Sequence, residues 1–157
     1  MQKEGGDPMI TVTKEFSFDC AHMLTGHQGL CKNLHGHTYK LQVEVTSFRG
    51  VLKDGPSKGM IVDFKDLKQL VKELIVDRFD HSYVCWISGG DLECSIGALL
   101  KEHGRKVTEV DYRPTAENMA QHFYGLLSGA IKETLPGARL KAVRVWETPT
   151  SYAEVRV

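Results

Sequence analysis

The chain has 157 residues, a length that suits one domain with a sizeable core. Its 20 Lys and Arg balance 20 Asp and Glu, so it carries neither a basic field for nucleic acid nor an acidic tail. No apolar run approaches the roughly 18 residues a membrane span needs, which leaves no membrane partner to expect.

Residues 1–8 are polar, include Gly5 and Gly6, and lack the apolar centre of a signal peptide. They read as a disordered leader, with a single domain over residues 9–157. Cys20, Cys31, Cys85 and Cys94, without a secretion signal, read as free or metal-adjacent thiols in a reducing cytoplasm. Zero net charge leaves little repulsion between copies and is compatible with an oligomer.

Residues 10–18 alternate: Ile10, Val12, Phe16 and Phe18 fall on one parity, Thr11, Thr13, Glu15 and Ser17 on the other. That is a half-buried strand. His22 shares the apolar parity if the strand runs that far. Thr25 to Gly29 is a loop by its glycines. The next stretch, Cys31-Lys32-Asn33-Leu34-His35-Gly36-His37, leads into a second alternating strand over 38–47, with Tyr39, Leu41, Val43 and Val45 on one face. His35 and His37 share that buried face. Residues 48–59 read as a hairpin or longer connection.

Asp63 caps a predicted helix ending near Arg78, with Asp66 in its first turn and Leu67, Leu70, Val71, Leu74 and Ile75 as its stripe. Asp80-His81 follows. Residues 82–106 carry the weakest signal and read as a loop with a short helix over 96–102. A short strand over 107–112 precedes a second helix, capped by Thr115, with Ala116, Met119, Ala120, Phe123, Leu127 and Ile131 facing inward. Strands over 140–147 and 152–157 finish the chain. This order predicts an α+β fold, a mainly antiparallel sheet with two helices on one face.

The chemistry concentrates at Cys31, His35 and His37. Two imidazoles on one side of a strand are half a zinc site, and His22 offers a third. Three ligands and an open position would make a catalytic Zn2+ centre. With Cys31 as fourth ligand, the site would be a closed Cys-His₃ staple in a non-catalytic module. In the open case Cys31 is a nucleophile or base beside the metal. Asp80-His81 is a carboxylate–imidazole pair suited to moving protons, or a solvated helix end. Glu147 shares the parity of Val143 and Val145 and would need partners if buried. It suits the two adjacent N–H donors of an amino-pyrimidinone edge, or an ion pair with Arg144 or Arg113.

Six blocks, Phe18-Asp19-Cys20-Ala21-His22, Cys31 with His35-Gly36-His37, residues 59–64, Asp80-His81, Pro114-Thr115-Ala116-Glu117-Asn118 and Glu147-Thr148-Pro149-Thr150-Ser151, resemble the 6-pyruvoyltetrahydropterin synthase family. Three residues between the cysteine and His-Gly-His resemble its 6-carboxytetrahydropterin synthase branch, which serves queuosine and other deazaguanine pathways. The resemblance implies Zn2+ on His22, His35 and His37, Cys31 as an acid/base thiol off the metal, and Asp80 and His81 as its relay partners. It implies Glu147, helped by Thr115, as the anchor of the pterin ring. The implied reaction converts 7,8-dihydroneopterin triphosphate to 6-carboxy-5,6,7,8-tetrahydropterin, acetaldehyde and triphosphate. The 6-pyruvoyl branch, which retains the three-carbon side chain, is the alternative. The implied fold is the tunnelling fold: a four-stranded antiparallel sheet with two helices, trimers closing a barrel, two trimers stacking as a homohexamer, and sites between subunits. Two features depart from the family: Val84-Cys85 stands where Leu-Asn is frequent, and the segment from Trp86 to Arg105 is longer.

Overall fold

The structure, a computed structural model, describes residues 9–157, so the expected leader over 1–8 lies outside the described residues. Strands β1 (Thr11–His22) and β2 (His35–Ser47) form a long antiparallel ladder. Their alternation buries Phe18, Cys20, Tyr39, Leu41, Val43 and Val45 on one face. Strands β5 (Ala138–Thr148) and β6 (Ser151–Arg156) continue the sheet from β2, also antiparallel. Val143 and Val145 add to the same core face.

Two helices cover that face. Helix α1 (Phe64–Val71) starts at Asp63, whose side chain accepts the Lys65 N–H at 2.8 Å, as its sequence position predicts. A π-helical turn, Lys72–Val76, follows, then a short α2, Asp77–Phe79. Leu67, Val71, Ile75 and Phe79, four apart, are all fully buried. In a straight α-helix, a step of four residues overshoots one turn by roughly 40°. The wider π turn takes up that drift and keeps the row on the core. Helix α4 (Ala116–Thr134) is capped by Thr115, which accepts the Asn118 N–H at 3.3 Å, and buries Met119, Ala120, Phe123, Leu127 and Ile131. Each of these side chains except that of Ala120 contributes roughly 1.5–3 kcal/mol by leaving water.

Among the described residues the sheet has six strands, in the order β4 (Val107–Val110), β3 (Ser82–Trp86), β1, β2, β5, β6, and this corrects the four-stranded expectation. The strands β1, β2, β5 and β6 are the expected antiparallel unit. Added to β1 are β3 (Ser82–Trp86) and β4 (Val107–Val110), both parallel. A third helix, α3 (Asp91–Glu102), is longer than the helix predicted over 96–102. Residues Ser82 to Cys85 are all buried, so β3 shows no alternation and its sequence does not announce a strand. Val84 joins the main core, whereas Tyr83 and Cys85 lie against Gly97 of α3. The extension therefore packs on the opposite side of the sheet from α1 and α4. All four cysteines are free. Among the described residues no helix is long and apolar enough to cross a membrane.

Gly97 is where α3 approaches β3 most closely: a Cβ there would stand 2.8 Å from the buried Cys85 Sγ. At Gly125 of α4, a Cβ would meet nothing within 4 Å. Helix propensity alone would make Ala stabilising at both, by up to about 1 kcal/mol. Packing reverses the sign at the first site. Gly97→Ala is expected to destabilise by about 1–3 kcal/mol, and Gly125→Ala to be neutral or stabilising. Urea unfolding of the two variants beside the parent checks both signs.

Candidate metal centre and active site

Strand register builds the site. His22 ends β1, His35 begins β2, and the two stand directly opposite each other in the ladder. His37 lies two residues on, opposite Cys20. All three side chains share the core face. The ring centroids are 4.6 Å apart for His22–His35, 4.9 Å for His35–His37 and 5.2 Å for His22–His37. One nitrogen from each lies within 4.8 Å of the others. Gly36, between the two β2 histidines, serves the ladder itself: a Cβ there would come within 3.0 Å of the Cys20 carbonyl oxygen.

The backbone decides which nitrogens are free. His22 Nδ1 lies 2.8 Å from the Pro114 carbonyl oxygen, and His35 Nδ1 lies 2.7 Å from the Asn33 carbonyl oxygen. A carbonyl only accepts, so each Nδ1 carries the proton and each Nε2 keeps a lone pair. Those two Nε2 atoms face each other at 3.1 Å. Two lone pairs cannot hydrogen-bond to one another. His37 Nε2 is buried without a hydrogen-bond partner. Glu147 Oε1 lies 3.4 Å from it, but the pair is too poorly aligned to form a hydrogen bond.

Burial opposes a charge on two of the three rings. Burial pushes His22 down to about 4, against the pull of the Pro114 carbonyl and with smaller help from His35 and His37. Burial lowers His37 as well, with Glu147 opposing and His35 assisting. Neutral imidazoles with converging lone pairs are the state a divalent cation binds, and three nitrogens suit zinc. The carbonyl contacts at Nδ1 orient the His22 and His35 rings, the role that outer partners play around bound metals. The residues present fit the metal.

Cys31 lies in a 3-10 turn, Leu30–Lys32, and is half-buried. It is not part of the imidazole cluster. Its carbonyl accepts the Leu24 N–H at 2.8 Å. The loop between them is braced from outside: the Thr25 hydroxyl donates to Glu93 Oε2 at 2.6 Å. Glu93, fully buried on α3, also accepts the Trp86 N–H at 2.9 Å. The segment 82–106 thus holds the loop that carries Cys31, a function its sequence does not signal.

Asp80 and His81 are brought together at the entry to β3. His81 has φ 56°, an uncommon conformation for a residue with a side chain. Its N–H donates to the Asp19 carbonyl at 2.6 Å, and Asp80 Oδ1 accepts the Asp19 N–H at 2.9 Å. The Asp80 carboxylate is held below its usual range, chiefly by that N–H, then by His81 and Lys106, against burial. Its Oδ1 lies 3.0 Å from His81 Nδ1, and the His81 side chain is 77% exposed. His81 and His37 line one cleft of about 680 Å³ together with Asp19, Thr38 and Arg105. Asp19 has no sequence mark beyond its place in the Phe18–His22 block.

Glu147 stands beside a bulge of β5 against β6, its side chain 27% exposed. It lines a second cavity, of about 340 Å³, with Arg113, Thr115 and Glu117. The alternative ion pair with Arg144 or Arg113 does not form. Arg144 binds Glu44 and Glu154 on the far face of the sheet. Thr115 reaches this cavity while capping α4.

A family model described as 6-pyruvoyl tetrahydropterin synthase matches residues 11–157. A protein of Haemophilus influenzae named 6-carboxy-5,6,7,8-tetrahydropterin synthase is 43% identical over 93% of this chain and 98% of its own length. One of that name from Rickettsia bellii is 34% identical over 94% of this chain and 100% of its own. The solved 6-pyruvoyl tetrahydropterin synthase of Caenorhabditis elegans superposes with a TM-score of 0.64 at 23% identity, over 96% of each chain, and shares the fold. With the match running from the first strand to the last, the chain belongs to the 6-pyruvoyl tetrahydropterin synthase family.

Proposed function

We propose that this chain is a zinc-dependent 6-carboxy-5,6,7,8-tetrahydropterin synthase. It converts 7,8-dihydroneopterin triphosphate and one water to 6-carboxy-5,6,7,8-tetrahydropterin, acetaldehyde and triphosphate, a lyase reaction supplying queuosine and related deazaguanines. The observation that carries the reading is the convergence of three imidazoles, with the Nε2 atoms of His22 and His35 face to face at 3.1 Å and that of His37 buried without a hydrogen-bond partner among the described residues. The names of the full-length relatives support the substrate class and the carboxy branch.

His22, His35 and His37 hold the metal. When bound, zinc supplies a Lewis acid for the hydroxyls of the substrate side chain. Glu147 accepts two adjacent N–H groups of the pterin ring, with Thr115 at the cavity rim. Its carboxylate lies 3.4 Å from His37 Nε2, so the ring anchor sits beside the ligands and orients the side chain toward them. Cys31, outside the imidazole cluster, takes a proton from the carbon next to the ring as thiolate. His81, its Nδ1 turned to Asp80, moves the second proton through Nε2.

The exposed His81 ring and the open sheet edges support an oligomer with sites between subunits, a trimeric barrel or a hexamer of two. Only Cys20 and Ala21 of β1 pair with β3 and Asp19 is bonded to Asp80 and His81, so Thr11 to Phe18 present an unpaired edge among the described residues, and β6 presents another. Free thiols suit a reducing cytoplasm.

Incubating the zinc-loaded protein anaerobically with 7,8-dihydroneopterin triphosphate is expected to yield acetaldehyde and 6-carboxytetrahydropterin in equal amounts. Triphosphate release without acetaldehyde would assign the pyruvoyl branch instead. Cys31→Ala is expected to keep zinc and fold while turnover falls roughly 10²-fold or more; unchanged turnover contradicts the role of the thiol. His35→Ala is expected to bring zinc, measured by elemental analysis, well below one ion per chain.

A further inference from the structure

Arg113 precedes the Pro114 whose carbonyl holds His22, and it enters the Glu147 cavity half-buried. Its guanidinium is nearly unused. Among the described residues its Nε–H is buried without a partner, and Nη2 donates to the Leu24 carbonyl oxygen at a long 3.3 Å. It enters none of the ion pairs of the described residues. Glu147 and Glu117 line the same cavity without pairing with it. A guanidinium N–H withdrawn from water without an acceptor is costly, and a ligand that brings acceptors offsets the cost.

We propose that Arg113 is a substrate-binding residue that reads the O4/N5 edge of the pterin and selects the 7,8-dihydro state over the tetrahydro state. The inference rests on the pterin reading given above. Glu147 accepts from N3–H and the 2-amino group; the adjoining edge carries O4 and N5. In a 7,8-dihydropterin N5 is an imine nitrogen, so that edge offers two acceptors side by side. A guanidinium presents two parallel N–H donors and fits them as a fork. In a 5,6,7,8-tetrahydropterin N5 carries hydrogen, and a donor would then meet a donor. The same contact that holds the substrate is thus weakened in the product, which favours its release.

The test is equilibrium binding to the zinc-loaded, full-length protein under anaerobic conditions. The probes are 7,8-dihydroneopterin and 5,6,7,8-tetrahydroneopterin, which lack the triphosphate and cannot complete the reaction. The parent is expected to bind the dihydro form roughly tenfold or more tightly. Arg113→Met is expected to lose that preference, keeping zinc content and tetrahydro affinity within about twofold of the parent. Arg113→Lys, which keeps charge but not the fork and guards against a folding defect in the first variant, is expected to recover only part of it. A wild-type preference in both variants, or no preference in the parent, overturns the assignment. Glu147→Gln separates the two levels: if it weakens both ligands while Arg113→Met leaves the preference intact, only the role of Arg113 falls. If the parent binds neither pterin, the pterin reading falls and takes this inference with it.

Discussion

The site depends on the pairing register of β1 and β2. His22 faces His35 across the ladder and His37 stands one pleat further on, so the three rings converge because the strands pair as they do. A slip by one residue would turn His22 away from its partners and expose Phe18 and Cys20 in the same movement. The apolar alternation that builds the core therefore also fixes the geometry of the three imidazoles. Gly36 protects that register, since a side chain there would press on the Cys20 carbonyl.

Around this centre the chain places groups of different character on different supports. The proton-bearing faces of His22 and His35 are tied to backbone carbonyls, which hold their tautomers independently of any side chain. Glu147, the proposed ring anchor, arrives on a strand beside a bulge, and Asp80 and His81 arrive on a strained turn pinned to the Asp19 backbone. Cys31 alone sits in a loop, and that loop is fastened to the extension through Thr25 and Glu93. The segment 82–106 thus braces the loop that carries Cys31, while the sheet positions the three imidazoles.

Much of this was legible before the structure. Alternation located β1 and β2 and put His22, His35 and His37 on the buried face, and the caps at Asp63 and Thr115 stand where their side chains predict. Other parts left no local mark. Strand β3 is buried on both sides, so its polarity has no period to read. The π turn hides within an unbroken helical stripe. Glu93 lies in a stretch that reads as loop, and its partners Thr25 and Trp86 come from other elements. The Pro114 and Asn33 carbonyls that set the tautomers are backbone groups, which residue identity does not reveal. Arg113 was legible only as a counter-charge for Glu147, a pairing the fold does not make.

The central claim is that three imidazoles grip one metal and leave a position that sulfur does not fill. X-ray absorption at the zinc edge of the loaded protein measures this most directly. The account predicts three nitrogen neighbours at about 2.0–2.1 Å, a light atom completing the shell, and no sulfur. A sulfur scatterer at about 2.3 Å would make Cys31 the fourth ligand and the centre a closed structural site.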